Sequence, residues 1–330
     1  MVHDDSTPVL PAREPRGHKG TFGTVVVVGG CASRGTAEDG SPGTRMIGGP
    51  ALCALAALRS GAGLVRLAMP EPVLSAGLSI APEATGAALE VDHDGAIVGH
   101  LASAVLDRLM DAARCVVVGP GLGEGEGVRA VAFRAISQGE TPVVVDADAL
   151  NALAEMPEFH RDLRAPSVMT PHVGEFRRLA RALGIDPDPE ADPSGAAVRL
   201  ASLLGCVVVL KSAATVVADP LRAWVHDHPN PLLATGGSGD VLAGIIGALV
   251  AQHHRKPLGA GSRLVTTERR SPSGGGGGLS LFDAARLAVV AHARAAQRWA
   301  GVNQHATAGL LARDLLDHLP EALQSLRAPA

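Results

Sequence analysis

The sequence has no tyrosine and only 2% aromatic residues, so it lacks the stacking platforms on which nucleic-acid bases lie. It has no large excess of charge. Lys and Arg number 29 against 33 Asp and Glu, for a formal net charge of -4, and no basic stripe argues for a nucleic-acid partner. Cysteine is scarce: Cys31, Cys53, Cys115 and Cys206 form no C-x-x-C pair. Scattered free thiols suit a reducing cytoplasm better than a disulfide-stapled secreted fold. No stretch of about 18 apolar residues occurs, so no membrane span is expected. The first residues lack the apolar centre of a signal peptide. The expectation is a cytoplasmic protein with neither nucleic acid nor membrane as partner.

What is present is a chain of 330 residues, 46% hydrophobic, ample for a buried core. Short apolar runs recur at Val25 to Val28, Val116 to Val118, Val143 to Val145, Val207 to Leu210 and Thr215 to Ala218. They are continuous rather than alternating, the pattern of strands buried on both faces. Helical stretches lie between and after them: Pro50 to Ser60, Arg129 to Ser137, Glu175 to Leu183, Asp240 to Gln252, Phe282 to Trp299 and Ala308 to Leu319. This alternation predicts an α/β fold with a mostly parallel central sheet and helices on both faces. Residues 1–16 are polar and proline-rich and read as a disordered tail. Residues 253–281 hold five consecutive glycines, Gly274 to Gly278, and read as a flexible surface insertion, with a lid over the site as the alternative. No repeat or change of composition divides the rest, so 17–330 is read as one domain.

Five segments carry chemistry. The turn Gly236-Gly237-Ser238-Gly239-Asp240 runs straight into an apolar helix. Glycines let backbone N–H groups crowd an anion, and a helix N-terminus favours negative charge. A carboxylate there can take the proton of a hydroxyl attacking the bound phosphate, or it can simply cap the helix. Gly119-Pro120-Gly121-Leu122-Gly123 follows a strand, where open parallel sheets bind ligands. Asp146-Ala147-Asp148-Ala149-Leu150-Asn151 puts two carboxylates and an amide past another strand end, for Mg²⁺, a ribose hydroxyl or a helix cap. Thr170-Pro171-His172-Val173-Gly174-Glu175 offers a histidine to a substrate amide or phosphate and a glutamate to the next helix. Lys211-Ser212-Ala213-Ala214-Thr215 joins two strands and offers a lysine to a nucleotide phosphate, or to solvent. The pairs His226/His228 and His253/His254 lack a third ligand at metal spacing and read as solvated.

In this order, the segments resemble the nucleotide-dependent NAD(P)H-hydrate dehydratases, ribokinase-like repair enzymes often fused behind an epimerase domain. The resemblance starts at His18-Lys19-Gly20-Thr21-Phe22-Gly23, takes in Ala57 to Val65, and closes at Gly309-Leu310-Leu311-Ala312-Arg313-Asp314. It implies a ribokinase-like three-layer sandwich. It also implies a reaction in which ADP, or ATP, with Mg²⁺, phosphorylates the C6 hydroxyl of hydrated NADH or NADPH, after which phosphate leaves. By the resemblance Asp240 is the base, and Gly236, Gly237, Ser238 and Gly239 form the anion hole. Lys211, Ser212, Ala213, Ala214, Thr215 and Gly239 hold the nucleotide. Gly49, Gly121, Asn151, His172 and Asp240 hold the hydrate. No metal is expected on fixed protein ligands. The resemblance also implies a homo-oligomer, a tetramer, and a separate epimerase in the same pathway. Departures from the family are an extension between Gly30 and Gly48, Gly49-Pro50 for Ala-Ala, Val173 for Pro, Ser212 for Gly and Ser238 for Thr. Two other readings stand: a ribokinase-like thiazole or hydroxymethylpyrimidine kinase, and a non-catalytic nucleotide-binding protein.

Overall fold

In the computed structural model, which describes residues 7–33, 43–254 and 278–327, nine strands pair into one sheet. In chain order they are β1 (Thr24–Val28), β2 (Leu64–Pro70), β3 (Thr85–Leu89), β4 (Cys115–Val118), β5 (Val143–Val145), β6 (Ser167–Met169), β7 (Val207–Leu210), β8 (Thr215–Ala218) and β9 (Ala223–His226). Their order across the sheet is β3-β2-β1-β4-β5-β6-β7-β8-β9. Pairing is parallel from β3 to β7 and antiparallel across β7-β8-β9.

The continuous apolar runs are explained by what covers each face. Successive side chains of a strand point to opposite faces. Val25 and Val27 therefore join one core, with Val117, Val144 and Val209, while Val26 and Val28 join the other, with Val116, Val118 and Val145. The first core is roofed by α1 (Gly48–Arg59), α8 (Ser238–His253), α9 (Leu281–Val302) and α10 (Asp314–Gln324). The second is roofed by α3 (Gly99–Met110), α4 (Glu126–Ser137), α5 (Asp148–Ala154), α6 (Val173–Ala182) and α7 (Pro193–Leu204). A remaining helix, α2 (Glu71–Ile80), leans on β2 and β3 at the sheet's edge. Each valine so enclosed contributes roughly 1.5–3 kcal/mol relative to exposure.

At the centre of the first layer α8 is buried from Val241 to Ala251. Two of its glycines are there for contact. A Cβ on Gly244 would come 2.3 Å from the Cys53 carbonyl oxygen of α1, and one on Gly247 would come 2.6 Å from Val117 of β4. Their absence lets α8 lie tight against both.

Two expectations need correction. The N-terminal stretch, described from residue 7 and mostly exposed, is pinned to the body at Leu10 and Arg13 rather than wholly frayed. Leu10 is fully buried, its N–H bonds Leu326 O at 2.8 Å, and it bridges Arg327. Arg13 lies over the Phe22 ring and donates to Gly61 O and Gln252. The closing helix runs Asp314–Gln324, not from Ala308 to Leu319. Its start is fixed by Asp314, which accepts the Leu311 N–H, and its apolar face (Leu315, Leu319, Ala322, Leu323) carries it past Pro320. The expected flexible insertion lies, from 255 to 277, outside the described residues. Its flanks meet, for Leu279 N bonds His253 O at 2.9 Å.

Candidate functional site

The strand order reverses between β1 and β4, the place where open parallel sheets form a ligand crevice. The loops leaving these strands are pressed together there. Gly30 N bonds Pro120 O at 3.0 Å, and a Cβ on Gly29 would sit 2.2 Å from that same oxygen. Gly121, at φ 58°, faces Met46 and Pro50, so the loop after β4 abuts the start of α1. The first turns of α1 and α8 then meet: the Cβ position of Gly49 is 3.1 Å from Asp240 Oδ1. Gly237, at φ 89°, is the N-cap of α8, and no side chain caps that terminus. Asp240 is the third residue of the helix, so it is not the capping aspartate that the sequence left open. Its carboxylate is free to face Gly49.

Lys211 reaches the same place from the end of β7. Its Nζ is 2.7 Å from Asp146 Oδ1 and 3.9 Å from Glu175 Oε2, and it lies 3.5 Å from the Cβ position of Gly239. It is therefore not a solvated turn lysine; 21% of its side chain is exposed. Its turn is self-bonded, with Ser212 Oγ donating to Ala214 O and Thr215 Oγ1 to Ser212 O. Asp146, 1% exposed, also accepts Thr170 Oγ1 at 2.6 Å.

His172 is the N-cap of α6. Its Nδ1 accepts from Gly174 N and Glu175 N, while Glu175 Oε2 accepts the His172 N–H in return. With Nδ1 used as an acceptor, the neutral ring carries its proton on Nε2, which lies 3.4 Å from Glu175 Oε1 on a side chain that is 53% exposed. Asp148 opens α5 without capping it, and accepts the Gly123 N–H at 2.8 Å. It thereby ties the loop after β4 to the loop after β5. Asn151 bonds Asp148 and receives Arg178 at 2.9 Å, so it braces that junction.

The site is overloaded with negative charge. Burial first, and then Asp146, Asp148 and Glu175, push the Asp240 carboxyl up to about 7 against the pull of Lys211. Burial likewise raises Glu175, with Lys211 opposing. Burial alone would lower the Lys211 ammonium, but Asp146, Glu175 and Asp240 outweigh it and hold the lysine above its ordinary value.

Sequence reasoning missed one residue here. His292 of α9 is buried, and its Nε2 lies 3.2 Å from Ser238 Oγ in the glycine-rich turn that opens α8. Burial pushes the imidazole down to about 4, so it is neutral at ordinary pH. The available signal was one polar residue inside the apolar run Ala288-Val289-Val290-Ala291-His292-Ala293. Elsewhere, the histidine pairs read as solvated are corrected in part. His226 is half-buried and stacks on Trp224 at 5.7 Å, His253 and His254 are half-buried at the end of α8, and only His228 is exposed. Among the described residues only Asp92, His93 and Asp94, exposed and remote in sequence from the motifs, gather within metal-ligand distance of one another. A cleft of about 690 Å³ lies between Arg13, Arg59 and Arg327, at the other ends of α1 and α8, and none of the expected site residues lines it.

The family model described as NAD(P)H-hydrate dehydratase matches residues 42–321. The chain is 35% identical to the ADP-dependent (S)-NAD(P)H-hydrate dehydratase of Xanthomonas campestris pv. campestris, over 96% of this chain and 93% of that one. It is 35% identical to the bifunctional NAD(P)H-hydrate repair enzyme Nnr of Thermofilum pendens, over 96% of this chain and 53% of that one. The chain thus spans about half the length of the bifunctional curated relatives it matches. Among solved structures it is similar to the ADP/ATP-dependent NAD(P)H-hydrate dehydratase of Bacillus subtilis co-crystallised with ATP/Mg²⁺, with a TM-score of 0.70 and 28% identity, covering 97% of this chain and 95% of that one. The fold is ribokinase-like, and the chain belongs to the NAD(P)H-hydrate dehydratase family.

Proposed function

We propose that the chain is an ADP-dependent (S)-NAD(P)H-hydrate dehydratase. The observation that carries this reading is Asp240, a carboxyl of raised proton affinity on the first turn of an uncapped helix, flanked by Gly49 and facing the Lys211 side of the strand ends. A base whose proton affinity lies near the working pH is the most useful kind. In this reading the C6 hydroxyl of the hydrated nicotinamide attacks the terminal phosphorus of ADP, Asp240 accepts the hydroxyl proton, and AMP leaves. Elimination of phosphate, with loss of a ring proton, then restores the double bond of NAD(P)H. Hydroxide is a poor leaving group and phosphate a good one, which is why a nucleotide is consumed.

Gly236, Gly237, Ser238 and Gly239 would surround the transferring group with backbone N–H donors, and Lys211 would meet its charge. Ser212, Ala213, Ala214 and Thr215 would hold the AMP part. Gly49, Gly121 and the half-exposed ring of His172 would hold the hydrate, and Asn151 would act through Asp148. The surplus of carboxylates fits a divalent cation carried in with the nucleotide, since the single lysine Lys211 faces the charges of Asp146, Glu175 and Asp240. Mg²⁺ would neutralise phosphate charge when bound. The same reading includes a cytoplasmic location, a homotetramer and a separate epimerase that supplies the reactive epimer.

The test is to incubate the purified protein with hydrated NADH or NADPH, Mg²⁺ and either ADP or ATP. Absorbance of reduced nicotinamide should return, with AMP and phosphate released from ADP. No return with any nucleotide would refute the reading. A stable phosphorylated acceptor without reduced nicotinamide would point to the kinase alternative.

A further inference from the structure

Beyond adding negative charge that suits a divalent cation, Asp146 is held firmly at the strand ends. Its N–H bonds Val118 O at 3.0 Å, which fixes it between β4 and β5. Its Oδ1 accepts Thr170 Oγ1 at 2.6 Å from the end of β6 and Lys211 Nζ at 2.7 Å from the end of β7. One buried carboxylate oxygen therefore ties together the ends of three neighbouring strands. Glu175, at 3.9 Å from Nζ, is too far to hydrogen-bond the lysine and adds only its charge.

We propose that Asp146 is a positioning residue: its carboxylate holds the Lys211 ammonium beside Gly239 so that the lysine meets a nucleotide phosphate already in place. A lysine is a point charge on a flexible four-carbon stem, and ordering that stem opposes binding. Here the ordering is done when the protein folds. The ammonium has three N–H donors and Asp146 takes one, which leaves others for phosphate. The Asp146 charge has a second effect, because it opposes ionisation of Asp240 across the crevice.

This inference rests on the proposed function, and the test separates the two. Asp146→Asn, Lys211→Met, the double variant and Thr170→Val are each assayed for ADP affinity by calorimetry and for turnover of the hydrate across pH. Asp146→Asn should weaken ADP by about tenfold, the size of one charge-assisted hydrogen bond lost or misplaced. The double variant should be no weaker than Lys211→Met alone, because the carboxylate acts through the lysine. Thr170→Val keeps both charges and should weaken ADP less, in the same direction. The acid limb of turnover should move to lower pH by about half a unit or more in Asp146→Asn, a change that a merely structural residue would not produce. If Asp146→Asn fails to fold, the comparison of the double variant with Lys211→Met, and Thr170→Val against the parent, still decides. Additive losses, or parental ADP affinity in Asp146→Asn, would overturn the proposal. If no nucleotide supports hydrate turnover, the functional reading falls, while the ADP affinities still test the Asp146–Lys211 coupling. Absence of ADP binding in the parent would sink both.

Discussion

Ionised Asp240 is costly where it sits, because burial and the nearby carboxylates oppose its charge while Lys211 offsets only part of this. Its folded-state proton affinity, about 7, lies above the ordinary aspartate value of 3.8, so between those values the folded chain binds more protons than the unfolded one. Stability from this group is therefore greatest at low pH and falls as pH rises towards 7. Asp240→Asn should raise the melting temperature at about pH 8 and change it little near pH 4, a contrast that thermal melts at the two values would reveal. The same substitution removes the proposed base, and turnover should fall at least about 10²-fold, since general-base catalysis typically contributes 10²–10⁴-fold. Turnover within about tenfold of the parent would remove Asp240 from the chemistry. In the parent, turnover should rise with pH through about 7 as the carboxylate forms, and a flat profile across that range would contradict the base assignment. The residue scale is also where the sequence was least legible. That Asp240 belongs beside Gly49 rather than at a helix cap depends on how α1 and α8 meet, and the pairing of Ser238 with His292 spans 54 positions. Neither partner is marked by local spacing.

Elements were legible where apolar residues run without a break; β2 (Leu64–Pro70), interrupted by Arg66 and closed by Pro70, was not read although most of it is buried. The strands covered on both faces, such as β1, β4, β5 and β7, are uniform apolar runs and were read to within a residue. The edge strand β3 was not, because Thr85-Gly86-Ala87-Ala88-Leu89 is mostly exposed and has little strand character of its own. Nor was β9, which pairs only with β8. Helix α8 combines both lessons. Its apolar length announced a buried helix, but its glycines carry information that only packing reveals. Gly244→Ala would place a methyl 2.3 Å from the Cys53 carbonyl oxygen, which is backbone and cannot rotate away. Forcing α8 off α1 should cost about 1–3 kcal/mol, read as a lower denaturant midpoint with an unchanged slope. Because Gly49 and Asp240 sit on those two helices, turnover should drop as well. An alanine variant with parental stability and turnover would show that the two helices have slack at this contact.

Taken whole, the chain carries acid sensitivity both beside the crevice, through His292, and away from it, through His253. His292 and His253 are both held down to about 4 by burial, against an ordinary value of 6.5. The unfolded chain binds protons at these positions before the folded one does, so their contribution is intact above about pH 6.5 and is lost as pH falls towards 4. Denaturant titrations should show this loss, and His253→Gln, far from the crevice, should reduce it without altering the pH dependence of turnover. An unchanged acid profile in that variant would assign the sensitivity elsewhere. The N-terminal segment and the last helix meet where Leu10 pairs with Leu326 and Arg327, beside Gly61 and Gln252. Gln252 lies twelve residues along α8 from Asp240, which at 1.5 Å per residue is about 18 Å. A covalent cross-link between the Leu10 and Leu326 segments should therefore leave the crevice unchanged. By the same geometry, a probe or label attached beside Leu10 or Leu326 would sit at the pole opposite Asp240 and leave the path of small molecules to the carboxylate unobstructed.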